Sequence, residues 1–418
     1  MKFVFVHQNF PGQFVHIVRH LLAAGEHDVV FIGEPNTNQM PGVRRIVYQT
    51  PPRQSASIHP DARDFEYGMA RADAVAKAAR QVKQLGFEPD IIIGHHGWGE
   101  LLNLGDIWPK TPLLGYHEYY YNMSGHDVGF DPEFAIAPES LSAVRAKNAI
   151  NLIALTNPGF GQTPTQYQRS TYPAWAQPGI EVLPEGVNLN ICQPAPPAGA
   201  TTIAGIRVAA KDRLVTYVAR DLEPYRGFHI MMRALPDLLR QRRDVRVVMV
   251  GGDDASYGAR LVNNTWRELL LSQISPIDMS RVHFPGKIGY PDYVKLLQRS
   301  DAHVYLTYPF VASWSLREAM ACGCAIVASD TAPVREFITH GRTGTLTPFL
   351  DPAALATQIL ATLEGGTPII RMRAAARRYA EQHMAMDIYI ARYEALIERI
   401  TGMRVGKQAP RRRRATAS

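Results

Sequence analysis

One stretch in the last third of the chain constrains the fold more than any other. Residues 313–335, SWSLREAMACGCAIVASDTAPVR, combine apolar residues at helical spacing with a glycine and a short apolar run. We interpret them as a helix that ends at Gly323, a buried strand at residues 325–328, and a loop that opens a second helix at Pro333, where a missing N–H costs little. One acid, Glu318, interrupts the apolar helix. A strand end, a helix start and a carboxylate at one point are typical of α/β domains that hold a nucleotide.

Strand-like and helix-like patterns alternate along the rest of the chain. In the first half we predict helices at residues 14–22 and 70–85 and strands at residues 3–6, 28–32, 89–94, 112–116, 152–156 and 181–183. In the second half we predict helices at residues 228–240 and 290–299 and strands at residues 214–219, 245–250, 282–284 and 302–306. Repeated strand–helix units indicate parallel sheets covered on both faces. The predicted fold class is therefore α/β, with two doubly wound domains facing across a central cleft that would hold a ligand.

Composition and charge exclude several classes of protein. No apolar run approaches the roughly 18 residues of a membrane-spanning helix. Cys192, Cys322 and Cys324 make no even disulfide set, which favours a reducing cytoplasm. No four-ligand zinc set is present, so we predict no bound metal. The net charge is +7, but six basic residues lie in the acid-free tail 404–418, so the remaining chain is near neutral and we expect no nucleic-acid partner.

The basic tail has two interpretations. It is a solvated, disordered end, or it is attracted to anionic lipid. At roughly 1 kcal/mol for each basic residue near an anionic surface, six residues would hold the protein there weakly. We therefore predict a cytoplasmic protein, with peripheral contact at the inner face of the membrane as a hypothesis.

Two arginines flank a predicted turn at the start of the second half. Residues 218–227, VARDLEPYRG, place Arg220 and Arg226 six positions apart, and the glycine after Arg226 lets the backbone bend into a helix. A diphosphate leaving group needs cations at its departing oxygens, and guanidinium groups supply fork-shaped donors. On spacing alone, surface salt bridges explain the pair equally well.

These motifs together resemble the donor-binding signature of retaining GT-B glycosyltransferases of family 4. That signature has an acid, seven residues, a second acid, A-M-A-C-G, a strand, and a turn followed by an acid. Glu318 matches the second acid, and Glu336 matches the acid after the turn. Phe310 stands where the first acid is usual, and Arg226 stands where lysine is usual. The resemblance extends over nearly the whole chain before the tail and is strongest in residues 214–345.

The resemblance implies a donor site in the second half of the chain. Arg220 and Arg226 would neutralise the leaving diphosphate, and Glu318 would bind the ribose hydroxyls. A structural partner such as an arginine is the alternative explanation of an acid on this helix. The other implied donor-binding residues are Gly12 in an early loop, Lys287 and Ile288 in a turn whose backbone reads the base, and Thr331, Ala332 and Pro333 at a helix start.

Histidines follow the predicted strand at residues 89–94, at the end where a parallel sheet exposes its site. The resemblance implies that His95 lies near the transferred sugar, so we group it with the two arginines as catalytic. A structural histidine bonded to backbone remains the alternative. Aromatic rings and carboxylates after the next strand suit sugar recognition, and they also suit an ordered surface loop. The candidate acceptor-binding residues are His96, His117, Glu118 and Tyr119.

The predicted domain boundaries follow from these assignments. We predict an N-terminal Rossmann-like acceptor-binding domain at residues 1–192, a linker at 193–213, and a C-terminal Rossmann-like nucleotide-sugar-binding domain at 214–385. The resemblance implies that a helix at residues 386–403 crosses back to the N-terminal domain, before the basic tail at 404–418.

The function that the resemblance implies is a retaining, metal-independent transfer of a sugar from a nucleotide-diphosphate sugar to a saccharide or lipid-linked acceptor. No cofactor is expected beyond the nucleotide sugar as co-substrate. Front-face attack needs no protein nucleophile, which fits the lack of a catalytic carboxylate pair. Two alternatives remain open: a nucleotide-sugar 2-epimerase of the same fold, and a sugar-binding protein with a degenerate donor site, since Phe310 replaces an acid.

Overall fold

The structure is a computed structural model that describes residues 1–50, 58–157, 159–196 and 199–406. Its strands are β1 Lys2–Val6, β2 Asp28–Gly33, β3 Arg44–Val47, β4 Ile91–His95, β5 Leu113–Tyr116, β6 Phe160–Thr163, β7 Ile180–Val182, β8 Thr201–Ile203, β9 Ile206–Val208, β10 Arg213–Asp221, β11 Val245–Gly252, β12 Val282–His283, β13 Ala302–Tyr305, β14 Ile326–Ser329 and β15 Thr345–Thr347.

Helices separate most of these strands. They are α1 Val15–Ala24, α2 Arg63–Gln84, α3 Leu104–Ile107, α4 Leu141–Lys147, α5 Ala149–Thr156, α6 Gln166–Thr171, α7 Phe228–Gln241, α8 Trp266–Gln273, α9 Tyr290–Arg299, α10 Trp314–Ala321, α11 Ala332–Arg335, α12 Pro352–Glu364, α13 Gly366–His383 and α14 Met386–Thr401.

The first sheet has seven parallel strands in the order β3-β2-β1-β4-β5-β6-β7. Its central strands are apolar on both sides because helices cover both faces. On one face, Phe5 packs against Phe14, which precedes α1, with ring centroids 5.6 Å apart. On the other face, side chains of β1, β2 and β4 share a core with α2 and α3, formed by Val4, Val6, Val30, Ile32, Ile92, Val75, Val82, Leu104 and Trp108.

The second sheet has six parallel strands in the order β12-β11-β10-β13-β14-β15. β10 lies at its centre, and the run from Leu214 to Tyr217 is buried. α10 packs on the core of this sheet through Leu316, Ala319 and Met320, none of which is exposed to solvent. Two parallel sheets with this strand order agree with the predicted fold of two Rossmann-like domains.

The protein divides into two compact units. One contains Met1–Met123, Ile136–Pro184 and the described residues from Asp387 onward, and the other contains Ser124–Ala135 and Glu185–Met386. These limits differ from the predicted boundaries, because residues 124–135 and 185–192 pack with the second unit. Residues from Asp387 onward belong to the first unit, in line with the implied crossing of the last helix. There, Gln162 donates a hydrogen bond to the Tyr393 hydroxyl at 2.7 Å.

The prediction of a strand at residues 152–156 is wrong. These residues lie in α5, where Ile150 and Ala154 are buried four positions apart while Leu152 is exposed. The helical period therefore outweighs the local preference of Leu and Ile for strands. The strand that occupies the expected position in the sheet is β6, eight residues later along the chain.

The segment predicted as a linker contains regular structure. β8 and β9 form an antiparallel hairpin within residues 193–213. Ala204 and Gly205 connect them, and both have positive φ, at 47° and 79°. Positive φ at both central residues is the geometry that matches the twist of a two-residue hairpin.

Gly115, in β5 of the first sheet, is required by close packing. A Cβ at Gly115 would lie 1.9 Å from Cδ2 of the buried His96 ring. We expect Gly115→Ala to lower the free energy of unfolding by about 1–3 kcal/mol, because a packed core does not accommodate an added methyl group. Gly105→Ala is the control, since a Cβ there meets no atom within 4 Å. Urea unfolding measures both, and equal stability of Gly115→Ala and the wild type would contradict the packing.

The helices and the cysteines bear on the expectations drawn from composition. Among the described residues, no helix combines the length and the apolar character needed to cross a membrane. The three cysteines are free thiols, and all are buried. Of the predicted basic tail, residues 407–418 lie outside the described part of the chain.

Candidate active site

In each sheet the strand order reverses beside one central strand. The reversal lies between β1 and β4 in the first unit and between β10 and β13 in the second. Crossover helices leave opposite faces of a sheet at such a point, which opens a crevice at the carboxyl ends of the strands. His95 is the last residue of β4, and Arg226 lies in the turn that follows β10. Each unit therefore has one candidate site at its strand-order reversal.

The His95 ring is held in one tautomer by the backbone. The N–H of Gly97 donates to His95 Nδ1 at 2.9 Å, so this nitrogen is an acceptor. In the neutral ring the proton is therefore on Nε2, which lies 3.4 Å from a carboxylate oxygen of Glu118. The backbone bond that the alternative interpretation required is present. This bond leaves Nε2–H as the single donor of the neutral ring. A sugar hydroxyl could accept a hydrogen bond from that group.

His7 faces His95 across the reversal in the first sheet. The two ring centroids are 5.6 Å apart and the rings are nearly perpendicular. His7 Nδ1 accepts a hydrogen bond from the Asn9 N–H at 2.9 Å. Gly12 has a φ of 54°, and a Cβ on it would lie 2.8 Å from His7 Nδ1. The early loop therefore needs glycine at position 12 so that it can close over the histidine.

The predicted acceptor-binding residues are mostly buried. His96 and His117 are 3% and 4% exposed, with ring centroids 4.8 Å apart, and Tyr119 is 5% exposed. The Nδ1 atoms of both histidines are buried without a hydrogen-bond partner. The Glu118 side chain is 33% exposed, so it is the most accessible of the four predicted groups.

Arg226 connects the two strand ends at the reversal in the second sheet. Its Nη1 donates to Thr307 Oγ1 and to the carbonyl of Val311, both at 2.8 Å. The Tyr217 hydroxyl donates to the Arg226 carbonyl at 2.7 Å. Thr331 Oγ1 donates in turn to the Thr307 carbonyl at 3.3 Å. Arg226 and Thr331, which were predicted from separate motifs, therefore belong to one hydrogen-bonded group.

Aromatic rings cover the Arg226 guanidinium. Its central carbon lies 4.9 Å from the centroid of the Tyr257 ring and 5.9 Å from that of Phe310. Phe310 is buried, and its ring packs on Tyr257 and Tyr225 at 5.1 and 5.2 Å. The position where an acid was expected is thus part of an aromatic wall that stabilises the cation through cation–π contacts.

The loop that carries Tyr257 is fixed by a buried carboxylate. Glu223 has no exposed surface, and its two oxygens accept hydrogen bonds from the N–H groups of Ser256, Tyr257 and Gly258 at 2.8–3.2 Å. Burial raises the pKa of Glu223, while the bonds from backbone N–H groups favour its ionised form. These bonds hold Tyr257 over Arg226.

Lys287 and Arg220 have different environments from Arg226. Lys287 Nζ pairs with the buried carboxylate of Asp221 at 2.9 Å, while its side chain remains 63% exposed. Ile288 packs partly buried against the core of the second sheet. Arg220 is exposed at the penultimate residue of β10. Of the two predicted catalytic arginines, the structure brings Arg226 into the bonded group at the reversal and leaves Arg220 on the surface.

Glu318 is held by two tyrosines. Tyr290 donates to its Oε1 at 2.8 Å, and Tyr293 donates to its Oε2 at 2.7 Å. Burial raises the pKa of Glu318, and the two hydroxyl donors oppose that shift. Each carboxylate oxygen can accept a further bond, so the group retains the capacity to bind a diol. These two hydroxyls are structural partners of the kind that the alternative explanation requires, and they leave the acceptor capacity on which the donor-binding interpretation depends.

The predicted helix start after β14 is short. α11 has four residues, and the Thr331 side chain does not cap it. Pro333 is buried and Ala332 is exposed at its first turn. Asp330, just before it, forms an ion pair with Arg335 at 2.6 Å. The backbone of Thr331 and Ala332 thus lies at the carboxyl end of the sheet, as predicted.

Comparison with protein families assigns both halves of the chain. Residues 25–192 match the profile described as "Glycosyl transferase family 4 group", and residues 212–365 match "Glycosyl transferases group 1". Together these ranges span more than half of the chain. The chain is a GT-B glycosyltransferase of family 4.

Relatives of this glycosyltransferase include enzymes that act on inositol lipids. It is 25% identical over 342 residues to a GDP-mannose-dependent alpha-(1-6)-phosphatidylinositol monomannoside mannosyltransferase of Mycolicibacterium smegmatis, covering 76% of this chain and 80% of that protein. It is 26% identical to a D-inositol 3-phosphate glycosyltransferase of Thermobispora bispora, where the match covers 48% of this chain and only 46% of the relative. A phosphatidyl-myo-inositol mannosyltransferase of Mycobacterium leprae is 31% identical over 43% of each chain.

Solved structures share the fold of this glycosyltransferase over nearly its whole length. Sucrose-phosphate synthase from Thermosynechococcus elongatus has a TM-score of 0.71 at 18% identity, covering 96% of this chain and 99% of that one. HepE of Anabaena in complex with UDP-glucose has a TM-score of 0.66 at 17% identity, covering 96% and 100%. At this level of identity, the likeness concerns the fold alone.

Several residues of the glycosyltransferase site were missed by the sequence analysis. Tyr290 and Tyr293 are spaced to place both hydroxyls on one side of α9, but nothing in the sequence pairs them with Glu318. Thr307 follows a predicted strand, which was a usable signal because strand ends in a parallel sheet converge. Glu223 lies within the arginine motif, and its bonds to a distant loop could not be inferred from spacing.

One group of side chains lies close enough together to hold a cation. Ligand atoms of Asp131, Glu133 and His229 are within 4.8 Å of one another. Arg233 occupies both oxygens of Glu133, at 2.6 and 2.7 Å, and one Asp131 oxygen contacts both His229 and the Tyr308 hydroxyl. Because a guanidinium would lie beside any cation here, we interpret the group as an ion-paired network.

Buried neutral histidines predict loss of stability in acid. Burial, and then the neighbouring His95, lowers the pKa of His7 to about 3; burial likewise lowers that of His117 to about 3 and that of His303 to about 4. Below pH 6.5 the unfolded chain takes up these protons while the folded protein does not. The contribution of these histidines to the free energy of unfolding is therefore fully present above about pH 6.5. It falls as the pH is lowered toward 3–4, by about 1.4 kcal/mol per pH unit for each histidine.

Urea unfolding at pH 7.5, 6 and 5 measures this dependence. His303→Gln is expected to reduce the slope, because it removes one of the buried histidines with a lowered pKa. An unfolding free energy that stays constant from pH 7.5 to 5 would contradict the buried, neutral state of these histidines.

Proposed function

We propose that this glycosyltransferase moves a sugar from a nucleotide-diphosphate sugar to a saccharide or lipid-linked acceptor, with retention of configuration and without a metal ion. The observation that carries the proposal is the bonded group at the reversal in the second sheet. There a buried guanidinium, Arg226, is joined through Thr307 to the strand end that bears Thr331. A fixed guanidinium at the carboxyl ends of parallel strands suits a diphosphate.

The donor would bind along the carboxyl ends of the second sheet. Arg226 would contact the diphosphate, and its charge would stabilise the departing oxygens in place of a metal ion. Glu318, oriented by Tyr290 and Tyr293, would accept the two ribose hydroxyls. The backbone of Lys287 and Ile288 would face the base. Phe310 gives this site an apolar wall beside Arg226, where the family usually has an acid.

The acceptor side of the reaction is proposed for the first unit. His95 would donate its Nε2–H to a hydroxyl of the transferred sugar, with Glu118 beside it as an acceptor of hydroxyl donors. By their names, the three relatives described above act on D-inositol 3-phosphate, on a phosphatidylinositol monomannoside and on phosphatidyl-myo-inositol. An inositol-bearing lipid is therefore the acceptor that we propose first, ahead of other saccharides.

The proposed chemistry needs no protein nucleophile. The bond between the sugar C1 and the diphosphate oxygen breaks while the acceptor hydroxyl oxygen bonds to C1 on the same face. The acceptor proton passes to the departing diphosphate. Arg226 would stabilise the negative charge that develops on that leaving group, and fixed donors of this kind contribute a large part of many rate enhancements.

A transfer assay in EDTA tests the proposal. Purified protein is incubated with radiolabelled sugars of UDP, GDP, ADP and dTDP, with phosphatidylinositol or free inositol phosphate as acceptor. We expect one nucleotide to support transfer in the presence of EDTA, with the product in the same anomeric configuration as the donor by NMR. Free epimer formed without acceptor would show the 2-epimerase instead. Absence of binding or turnover with every nucleotide would contradict the donor site.

A further inference from the structure

Residues Ser124–Ala135 follow an unusual course along the chain. The residues on either side of this segment belong to the first unit, yet the segment itself packs with the second. It carries three acids, Asp127, Asp131 and Glu133, within seven positions. We call Ser124–Ala135 the acidic strap. Its aromatic residues add packing, since Phe134 contacts His229 and Trp266 with ring centroids 5.3 and 5.4 Å apart.

Asp131 is a buried residue of the strap that contacts three other residues. It is 3% exposed, and its Oδ1 accepts the N–H of Glu133 at 3.0 Å. Its Oδ2 contacts His229 Nε2 at 2.9 Å and accepts the Tyr308 hydroxyl at 2.8 Å. Burial alone would raise the pKa of Asp131, but these hydrogen bonds leave the pKa below its ordinary value. The buried group is therefore a carboxylate with a fixed orientation.

The two strap aspartates each hold a tyrosine next to the donor site. Asp127 accepts a hydrogen bond from the Tyr225 hydroxyl, and Asp131 accepts one from the Tyr308 hydroxyl. The two tyrosine rings lie 4.7 Å apart, and the Tyr308 N–H donates to the Tyr225 carbonyl at 3.1 Å. The strap thus fixes a pair of rings that also bond to each other through the backbone.

These tyrosines are adjacent in sequence to the groups that hold the arginine. Tyr225 precedes Arg226, and Tyr308 follows Thr307, whose hydroxyl accepts from Arg226. The backbone bond between the tyrosines therefore sets the separation of the two strand ends that Arg226 joins. Rotation of either ring would also move the aromatic wall, because Tyr225 packs on Phe310 at 5.2 Å.

We propose that Asp127 and Asp131 are positioning residues for sugar transfer, which fix the Arg226 guanidinium by anchoring Tyr225 and Tyr308. This rests on the proposed function, since it assigns the arginine to the donor diphosphate. The aspartates themselves act at a distance from the reaction, through the tyrosines. These two aspartates lie in the chain between β5 and α4, so that segment supports the donor site without touching the donor.

A double-mutant cycle tests the proposal. Asp131→Asn keeps the shape of the side chain and removes its charge, and we expect it to lower kcat/KM for the donor about tenfold. Arg226→Lys keeps the charge and loses the fork geometry that the strap positions. In the Arg226→Lys background, Asp131→Asn is expected to lower kcat/KM for the donor by less than about twofold. The same tenfold loss in both backgrounds would overturn the proposal, because independent effects on log(kcat/KM) add.

Further variants separate positioning from folding. Tyr308→Phe retains the ring and removes only the hydroxyl bond to Asp131, so it should reproduce the loss and the non-additivity if Asp131→Asn folds poorly. Glu133→Gln is the control, because it alters the exposed ion pair with Arg233 and leaves both tyrosines bonded. Its kcat/KM should stay within about twofold of wild type, and a loss as large as that of Asp131→Asn would show that docking of the strap alone is responsible.

The outcomes also separate this proposal from the one on which it rests. If Arg226→Lys and Arg226→Ala leave donor turnover unchanged, the proposed donor site is wrong. If those variants lose activity while the cycle with Asp131→Asn is additive, the donor site stands and the positioning role is wrong.

Discussion

Arg226→Ala is expected to lower kcat by about 100- to 1,000-fold. Removing a single fixed donor to developing negative charge has an effect of this size in other enzymes. The guanidinium of Arg226 is buried and fixed by Thr307 and Val311, so it need not reorganise as charge develops on the diphosphate. The kcat of Arg226→Lys should lie between those of Arg226→Ala and the wild type, because the positive charge remains while the planar fork of donors is lost.

The measurement is steady-state transfer of labelled sugar at saturating donor. Arg240→Ala is a matched control, because Arg240 lies on α7 and forms an exposed ion pair with Asp237. It should leave kcat unchanged. Arg226→Ala also leaves the Thr307 hydroxyl and the Val311 carbonyl without their donor, so thermal unfolding of each variant is compared first. A folded Arg226→Ala protein with wild-type kcat would refute the role of the arginine.

Glu318→Ala is expected to weaken binding of the nucleotide by about 10- to 150-fold. Hydrogen bonds to a charged group contribute about 1.5–3 kcal/mol, and the proposed ribose contact involves such bonds. The partly buried carboxylate of Glu318 is already oriented by Tyr290 and Tyr293, so little ordering would accompany ligand binding. Glu318→Gln should lose less affinity for the nucleotide than Glu318→Ala, because the amide keeps one acceptor oxygen.

Calorimetric titration with the preferred nucleoside diphosphate measures this effect. Glu364→Gln is the control, since Glu364 is 75% exposed and forms a surface ion pair with Arg242. A loss of affinity restricted to ribonucleotides, and absent for the 2′-deoxy form, would identify the ribose contact directly. Unchanged affinity in Glu318→Ala would show that this acid is a structural partner of the tyrosines.

The sequence predicts much of the fold because its apolar periods are strong. The apolar runs in β1, β2, β4 and β14 are continuous, which is the pattern of strands buried on both faces. The strand order could not be read from this pattern, yet it determines where the two sites lie. The one wrong strand, at residues 152–156, has apolar residues that fit either period, and burial of Ile150 and Ala154 resolves it as a helix.

The sequence predicted the site residues that lie in local motifs, but it did not predict their bonding partners. Arg226, Glu318 and Thr331 each belong to a recognisable motif, and their positions at strand and helix ends follow from those motifs. Their partners come from distant parts of the chain: Tyr290 and Tyr293 precede Glu318 by 28 and 25 residues, and Asp131 precedes Tyr308 by 177. Spacing carries no information about such contacts, so the strap was assigned by sequence to the first domain.

A structure of the protein with its preferred nucleoside diphosphate would test the central claim most directly. We predict that the diphosphate lies within hydrogen-bond distance of the Arg226 guanidinium, and that the ribose hydroxyls lie on Glu318. A nucleotide bound elsewhere, with Arg226 still covered by Tyr257 and Phe310 and without contact to the phosphates, would contradict the donor site.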